Sequence, residues 1–296
     1  FRQGSVDNIL PPVLSAKVHT KDTFAFKYGR VEVRAKMPAA QWTWPAIWLM
    51  RQSDAYGGWP ASGEIDVVES RGTEDYGPPG EPMGNNVFGS TLHWGPAFDK
   101  NGWPLTTNVS HPANLHDDFH TFGLYWSATA LFPYLAAETN VVTRIPLYGR
   151  QSFWDTALDA GVWTNATPNC WAGASPNAPF DQAFYIILNV AVGGTSPGKP
   201  YTDVASGYFP DDLDGKPWHT ADLYPHTNFW SARASFEDSW TGDNAAMQID
   251  DIKVWGFDGL TSYYAKLDHH QTPEDHLSYF LIAALAFFAV LVAVIV

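Results

Sequence analysis

Residues 63–70 have the sequence GEIDVVES, which places three carboxylates within six positions of an otherwise apolar segment. The apolar residues predict a buried β-strand, in which side chains alternate between two faces. Glu64 and Asp66 then share one face, whereas Glu69 is an odd number of steps away and falls on the other. A β-bulge with one extra residue at position 67 or 68 returns Glu69 to the first face. The segment therefore predicts a bulged strand with a row of three acids.

Such a row of acids has a chemical use. Like charges held close raise one another's pKa, so that one carboxyl keeps its proton while another is ionised. Glycoside hydrolysis needs such a pair, because one carboxylate attacks the sugar carbon while a carboxylic acid protonates the leaving oxygen; retaining enzymes hold the two about 5 to 5.5 Å apart. With one residue absorbed by the bulge, the Cα atoms of Glu64 and Glu69 are roughly 13 Å apart. Side chains that lean toward each other close most of that gap.

The composition limits the class of protein. A chain of 296 residues fits one large all-β domain or two ordinary domains. Aromatic residues make up 15% and charged residues 16%, which favours a β-rich, aromatic-lined protein. A net charge of -14 argues against nucleic-acid binding, because no phosphate-neutralising surface is available. The single Cys170 leaves no disulfide within the chain, and no His/Cys cluster or Gly-rich phosphate loop suggests zinc or nucleotide.

Five further motifs accompany the acidic segment: WPAIW at 44–48, WPASG at 59–63, LHWGP at 92–96, APFDQ at 178–182 and LNVAVGG at 188–194. Together with the E-x-D-x-x-E spacing, they resemble the laminarinase-like members of glycoside hydrolase family 16 and the related β-1,3-glucan-recognition proteins. The resemblance runs from about residue 15 to about residue 257. It implies an all-β fold, an antiparallel β-sandwich of the jelly-roll type with a concave carbohydrate-binding cleft.

The resemblance also implies an activity, the endo-hydrolysis of β-1,3-glucan with retention of configuration. In this interpretation Glu64 is the nucleophile, Glu69 is the general acid and then the base, and Asp66 hydrogen-bonds and tunes the nucleophile. Another sugar could intercept the same intermediate, which would give transglycosylation. No cofactor is required for either reaction.

Aromatic and polar residues near the acids are candidates for substrate binding. Trp59 lies five residues before Glu64 at the predicted mouth of the row, and a flat aromatic ring is a natural platform for the apolar face of a sugar. His93 is expected to hydrogen-bond the substrate or the acids and not to act as the base. Asn189 interrupts an apolar strand, so its amide either braces the core or faces the cleft. The full expected set is Trp44, Trp59, Arg71, His93, Trp94, Asn189 and Trp218.

Two alternatives stay open. Glucan-recognition relatives keep the fold and lose the acids, so a non-catalytic β-1,3-glucan-binding protein is one; the acids present here favour catalysis. A hydrolase or transglycosylase of mixed-linkage glucan or a galactan is the other, because related enzymes share the acidic triplet. The HWGP segment and the surroundings of Trp59 favour laminarin. The expected partner is thus a β-glucan polysaccharide, bound by a monomer.

The remaining strands of the domain are predicted from the alternation of apolar and polar residues and from the Gly and Pro residues between them. Strands are expected at 26–37, 90–94, 119–126, 131–135, 141–146, 184–192, 232–236 and 247–255, with a short helix near residue 153. The segment 193–230 is predicted as a long loop that carries Trp218 over one end of the cleft. Asp250 and Asp251 leave open a structural Ca²⁺, which some members of the resembled family carry away from the cleft.

Both ends of the chain carry predictions of their own. The chain opens at Phe1, inside the resembled domain, so residues 1–257 are interpreted as a catalytic domain that lacks its N-terminal strands. Residues 258–276 are a predicted polar linker, and the uncharged residues 277–296 have the length of a transmembrane helix or of a hydrophobic anchor signal. Acceptor patterns for N-glycosylation begin at Asn108 and Asn165. We therefore expect a protein of the secretory pathway, held at the outer face of the membrane.

Overall fold

Two antiparallel β-sheets form the framework of the protein, for which a computed structural model describes residues 11–74, 84–110, 112, 114–142, 144–147, 151–194, 209, 211, 213, 215–257 and 262–265. The strands are β1 (Lys17–His19), β2 (Phe24–Lys27), β3 (Gly29–Lys36), β4 (Thr43–Arg51), β5 (Glu64–Ser70), β6 (Phe88–His93), β7 (Thr107–Ser110), β8 (His120–Trp126), β9 (Ala130–Leu135), β10 (Ile145–Pro146), β11 (Phe184–Val192), β12 (Gln248–Trp255) and β13 (Ser262–Ala265). The helices are α1 (Phe153–Asp159) and α2 (Pro225–Ser231).

The larger sheet holds eight strands in the order β13-β2-β11-β4-β5-β6-β7, with β1 paired to β11 as well. The smaller sheet holds five in the order β10-β9-β8-β3-β12. One apolar core contains side chains from both, such as Val33 of β3 and Phe122 of β8 together with Leu49 of β4 and Ile65 of β5. The predicted antiparallel β-sandwich is therefore confirmed.

Alternation of side chains explains which face of each strand is buried. In β3 the small and branched residues Val31, Val33 and Ala35 are buried, while the charged residues between them are half-exposed. The larger sheet also has an outer face, turned away from the main core. A second, smaller apolar cluster there includes Tyr185 and Ile187 of β11, with Trp48 of β4 packed against it. This outer face carries the candidate site.

Three predictions of local structure are wrong. The segment 193–230, predicted as a long loop, ends in a helix, because α2 begins at Pro225. The alternation at residues 232–236 predicts a strand, but Arg233–Ser235 and Glu237–Trp240 form 3₁₀ turns. The aromatic rings of Phe229, Phe236 and Trp240 pack on one another, with ring centroids 4.8 to 6.4 Å apart, and this cluster replaces sheet pairing. The predicted linker from residue 258 contains β13, which pairs with β2, so the sheet extends to Ala265.

The predicted membrane-spanning segment, residues 277–296, lies outside the described residues, as does most of the predicted linker. Among the residues that the structure describes, no helix is both long and apolar enough to cross a membrane.

Candidate active site

The bulge in β5 is present, and it aligns the three acids. On one side of β5, Asp66 and Glu69 pair with Thr91 and Gly89 of β6, so that three steps along β5 match two steps along β6. On the other side the register with β4 shifts at Val67. Glu64, Asp66 and Glu69 therefore share the outer face of the larger sheet, as the sequence predicts.

The bulged residues are stabilised from the core side. Val67 and Val68 are buried at 2% and 0% exposure, and both pack in the main core. A bulge leaves backbone groups outside the regular ladder, and these need partners when buried. The hydroxyl of the fully buried Ser90 donates to the carbonyl oxygen of Val67 at 2.6 Å, which supplies one. The alignment of the acids is thus built into β5 and β6.

Burial changes the protonation of all three acids. Desolvation, followed by the charge of Asp66, raises the pKa of Glu64 to about 8. Burial likewise raises the pKa of Asp66, whose carboxyl hydrogen-bonds with Glu64. The pKa of Glu69 is raised well above its usual value, first by desolvation and then by Asp66. The row therefore holds protons at neutral pH that isolated carboxyls would have lost.

Two tryptophans oppose this effect at the two glutamates. The indole Nε1–H of Trp59 donates to Oε2 of Glu64 at 2.8 Å, and that of Trp44 donates to Oε1 of Glu69 at 3.0 Å. A hydrogen bond donated to a carboxylate favours its ionised form, so each contact lowers the pKa of its partner. Trp44 and Trp59 thus lie at the site, where the sequence places them, and they contact different acids.

His93 lies beside the central acid, and its hydrogen-bonding role stays a prediction. Its Nε2 is 3.3 Å from Oδ2 of Asp66, and its register partner across the ladder is Glu64. Donor atoms of Glu64, Asp66 and His93 all lie within 4.8 Å of one another, which is a spacing compatible with a metal ion. Two of these residues are the acids of the candidate site itself.

One aromatic residue near the acids has no counterpart among the sequence predictions. Phe98 is 72% exposed in the loop after β6, and its ring centroid lies 5.8 Å from that of Trp59. Trp59 in turn lies 5.5 Å from the His93 ring. Phe98 carries no distinctive motif, and only its exposure beside Trp59 marks it as part of the surface around the acids.

Asn189 faces the outer surface of the sheet, which decides between the two interpretations of its amide. Its Oδ1 accepts a hydrogen bond of 2.7 Å from the indole Nε1–H of Trp48 on the neighbouring strand β4. The ammonium group of Lys17 on β1 lies 4.7 Å from the centre of the Trp48 ring. Asn189 therefore helps to orient an aromatic residue on the same face as the acids.

Three predicted substrate-binding residues are almost fully buried. Trp94 is fully buried and packs against Phe153 and Trp163, because it follows His93 by one position and so points to the opposite face. Arg71 is 1% exposed, with its guanidinium 5.9 Å from the Phe209 ring. Trp218 is 2% exposed and donates its indole N–H to the carbonyl of Gly194 at 2.9 Å. Trp94, on the core face, therefore leaves the expected set, whereas the roles of Arg71 and Trp218 stay predictions.

The two aspartates considered for calcium are each engaged by a cation on the surface of the smaller sheet. Asp250 pairs with Arg34, and Asp251 pairs with Lys253. Both are part of β12, at the edge of the five-stranded sheet and away from the acids of β5. The structural Ca²⁺ stays a prediction.

Comparison with known proteins places this geometry in a family. The profile described as "Glycosyl hydrolases family 16" matches residues 8–140. The chain is 42% identical over 263 residues to a "Beta-1,3-glucan-binding protein" of Penaeus monodon, covering 86% of this chain and 66% of that protein. It is 35% identical over 192 residues to "Glucan endo-1,3-beta-glucosidase A1" of Niallia circulans, covering 62% of this chain and 23% of that protein.

A solved structure, the laminarinase from Rhodothermus marinus, is 26% identical with a TM-score of 0.43, covering 60% of each chain. The chain thus spans about two thirds of the first relative and about a quarter of the second. On this profile match, residues 8–140 belong to glycosyl hydrolases family 16, and the similarity to the two named relatives extends over more than half of the chain.

Proposed function

We propose that the protein is a retaining glycoside hydrolase that cleaves internal β-1,3-glucosidic bonds of laminarin-type glucans. The observation that carries the proposal is the bulge in β5, which brings Glu64, Asp66 and Glu69 to one face. A protein that only bound glucan would gain nothing from three buried acids, each of which costs desolvation energy.

The three acids divide the reaction between them. Glu64, whose ionised form is favoured by the Trp59 N–H, attacks the anomeric carbon as nucleophile. Glu69 gives its proton to the leaving oxygen and then takes one from the attacking water. Its raised pKa supports the first of these steps, because a general acid must arrive protonated. Asp66 holds a shared proton against Glu64 and releases the nucleophile as the glycosyl bond forms.

The surface around the acids fits a neutral polysaccharide. Trp59 and Phe98 offer neighbouring aromatic rings at the Glu64 end, and Trp48 with Asn189 lies on the same face of the sheet. Aromatic rings bind the apolar faces of sugars, and amides bind hydroxyls. Relatives named for β-1,3-glucan binding and for endo-1,3-β-glucosidase activity support the choice of polymer. Mixed-linkage glucan and galactan are the competing substrates.

A second candidate function is non-catalytic recognition of β-1,3-glucan. One observation favours it: the relative that is 42% identical and covers 86% of this chain is named a glucan-binding protein. The two functions differ in whether bonds are broken, so a single substrate distinguishes them.

The test measures new reducing ends after incubation with laminarin, mixed-linkage glucan and agarose in parallel. We expect short oligosaccharides from laminarin, with at least a thousandfold loss in Glu64→Gln and in Glu69→Gln. Thermal unfolding and retention on a laminarin gel are the controls, since both variants should fold and bind. Binding without cleavage by the unaltered protein would establish the recognition function, and faster cleavage of another polymer would replace the substrate.

A further inference from the structure

We propose that Asn101 is a positioning residue that fixes the proton of His93 on Nε2, so that an N–H group and not a lone pair faces the acids. The inference rests on the proposed function of Glu64, Asp66 and Glu69. The side chain of Asn101 contacts Nδ1 of His93, whereas the other ring nitrogen is the one that approaches Asp66. Asn101 acts through the histidine.

The orientation of the Asn101 amide is fixed by the backbone. Its Oδ1 accepts the backbone N–H of Trp94 at 3.2 Å and that of Trp103 at 3.1 Å. Only the oxygen of an amide can accept, so these two donors determine which end is which. The NH₂ group is then the end that meets Nδ1 of His93, at 2.9 Å.

The amide orientation decides the state of the imidazole. An NH₂ group only donates, so Nδ1 of His93 must accept and carries no proton. The single proton of the neutral ring is therefore on Nε2, which faces Oδ2 of Asp66 at 3.3 Å. A doubly protonated ring would set its Nδ1–H against the N–H of Asn101. In the neutral ring, Asn101 thus places the single proton on Nε2, on the side of Asp66.

The position of the proton on Nε2 also decides between two roles for the cluster of Glu64, Asp66 and His93: binding a metal ion, or presenting an N–H group to a carboxyl. A metal ion would need a lone pair on Nε2, and the donor atoms are close enough to hold one. With Nε2 protonated, the ring instead presents an N–H toward Oδ2 of Asp66, a buried carboxyl oxygen that has no hydrogen-bond partner of normal geometry among the described residues.

Few charged groups surround His93 in the part of the chain that the structure describes. β5 contributes Glu64, Asp66 and Glu69, and the charge of His93, when present, lowers the pKa of both glutamates. The loop that packs Trp59 on the ring contributes no charge at that contact. Asp99 and Lys100 precede Asn101 in its own loop and pair with each other at 3.2 Å.

The test is the ¹⁵N spectrum of histidine-labelled full-length chain, with the His93 signals assigned by their loss in His93→Gln. At pH 7 we expect an unprotonated Nδ1 and a protonated Nε2. The variant Asn101→Asp keeps an oxygen for the two backbone donors and replaces the NH₂ by an acceptor, so both ring nitrogens should become protonated. A wild-type ring with its proton on Nδ1 would overturn the proposal, whether or not Asn101→Asp folds.

Activity gives the second readout. An imidazolium beside the acids lowers their pKa, so the pH profile of laminarin hydrolysis by Asn101→Asp should shift to lower pH by about one unit. The control Asn244→Asp adds the same charge at an exposed position and should leave the profile in place. An unshifted profile in Asn101→Asp with a doubly protonated ring would refute the positioning role. Absence of hydrolysis in every protein, with the expected spectra, would refute the proposed function alone.

Discussion

Trp59 combines two contributions in one side chain. Its indole N–H stabilises ionised Glu64, and its ring lies between those of His93 and Phe98. In the proposed mechanism, the first contribution acts on the nucleophile and the second on the substrate. A substitution that removes only the N–H and one that also removes the ring therefore distinguish the two contributions.

We expect Trp59→Phe to lower kcat/KM by about tenfold or more, since a hydrogen bond to a charged group is worth about 1.5 to 3 kcal/mol. Loss of the donor raises the pKa of Glu64 further above its usual value, so the acid limb of the pH profile should move to higher pH. Trp59→Ala removes the ring as well and should raise KM about fivefold more. Trp230→Phe, at a residue 41% exposed, is the control. An unmoved acid limb in Trp59→Phe would contradict the role of the N–H.

Sequence predicted that the three acids share one face, and it predicted the placement of their neighbours in part. The odd spacing between Asp66 and Glu69 indicates the bulge, so the sequence of this strand alone was enough to predict that Glu69 shares a face with Glu64 and Asp66. Trp94 was misplaced, although strand parity with His93 already puts the two on opposite faces. Asn101 and Phe98 could not be found, because their roles depend on how the loop after β6 returns to the sheet.

At the scale of elements, the C-terminal end of β5 depends on a glycine just beyond the strand. The N–H of Gly72 donates to the carbonyl of Thr43 on β4 at 3.0 Å. A Cβ on Gly72 would lie 2.1 Å from the Thr43 hydroxyl and 2.2 Å from the carbonyl oxygen of Ala40. Real side chains do not approach so closely, and one of the contacts is with backbone. This close approach fixes the end of β5 against the start of β4.

Gly72→Ala should therefore lower the free energy of unfolding by about 1 to 3 kcal/mol, the usual cost of overpacking. Gly58→Ala is the matched control, because nothing lies within 4 Å of its Cβ position. That variant should change stability by less than about 1 kcal/mol. Denaturant titration of both measures the difference, and equal stabilities would show that the end of β5 can shift at no cost.

Sheet pairing explains why elements were easier to predict than their ends. β3, β8 and β11 have long alternating or continuous apolar patterns, and all three strands are present as predicted. Residues 232–236 also alternate between apolar and polar side chains. The ring of Phe236 packs against those of Phe229 and Trp240, however, and the chain forms turns there instead of a strand. Such tertiary contacts override a five-residue pattern.

At the scale of the molecule, the larger sheet carries the acids on one face and the core on the other. Its far edge is β13, whose four residues pair with β2. β2 would be the edge if β13 were absent, and unpaired edges favour association. Sequence analysis predicted a linker at β13 because the residues around this strand are mostly polar.

A chain that ends at residue 257 should therefore be less stable than one that ends at residue 265. A domain of this size loses about 2 to 4 °C in Tm for each kcal/mol. We also expect the shorter chain to associate more at high concentration. Calorimetry and light scattering on both measure the effect, and equal Tm values would mean that β13 contributes nothing to the sheet.

The central claim is that Glu64 is the nucleophile of a retaining hydrolase. The most direct measurement is mass spectrometry of the protein after reaction with an activated laminaribioside that carries fluorine at C2, which slows release of the sugar from the enzyme by destabilising the cationic transition state. We predict one added disaccharide per chain, located on Glu64 and absent in Glu64→Gln. An unlabelled protein that still binds laminarin, or a label on Asp66 or Glu69, would contradict the account.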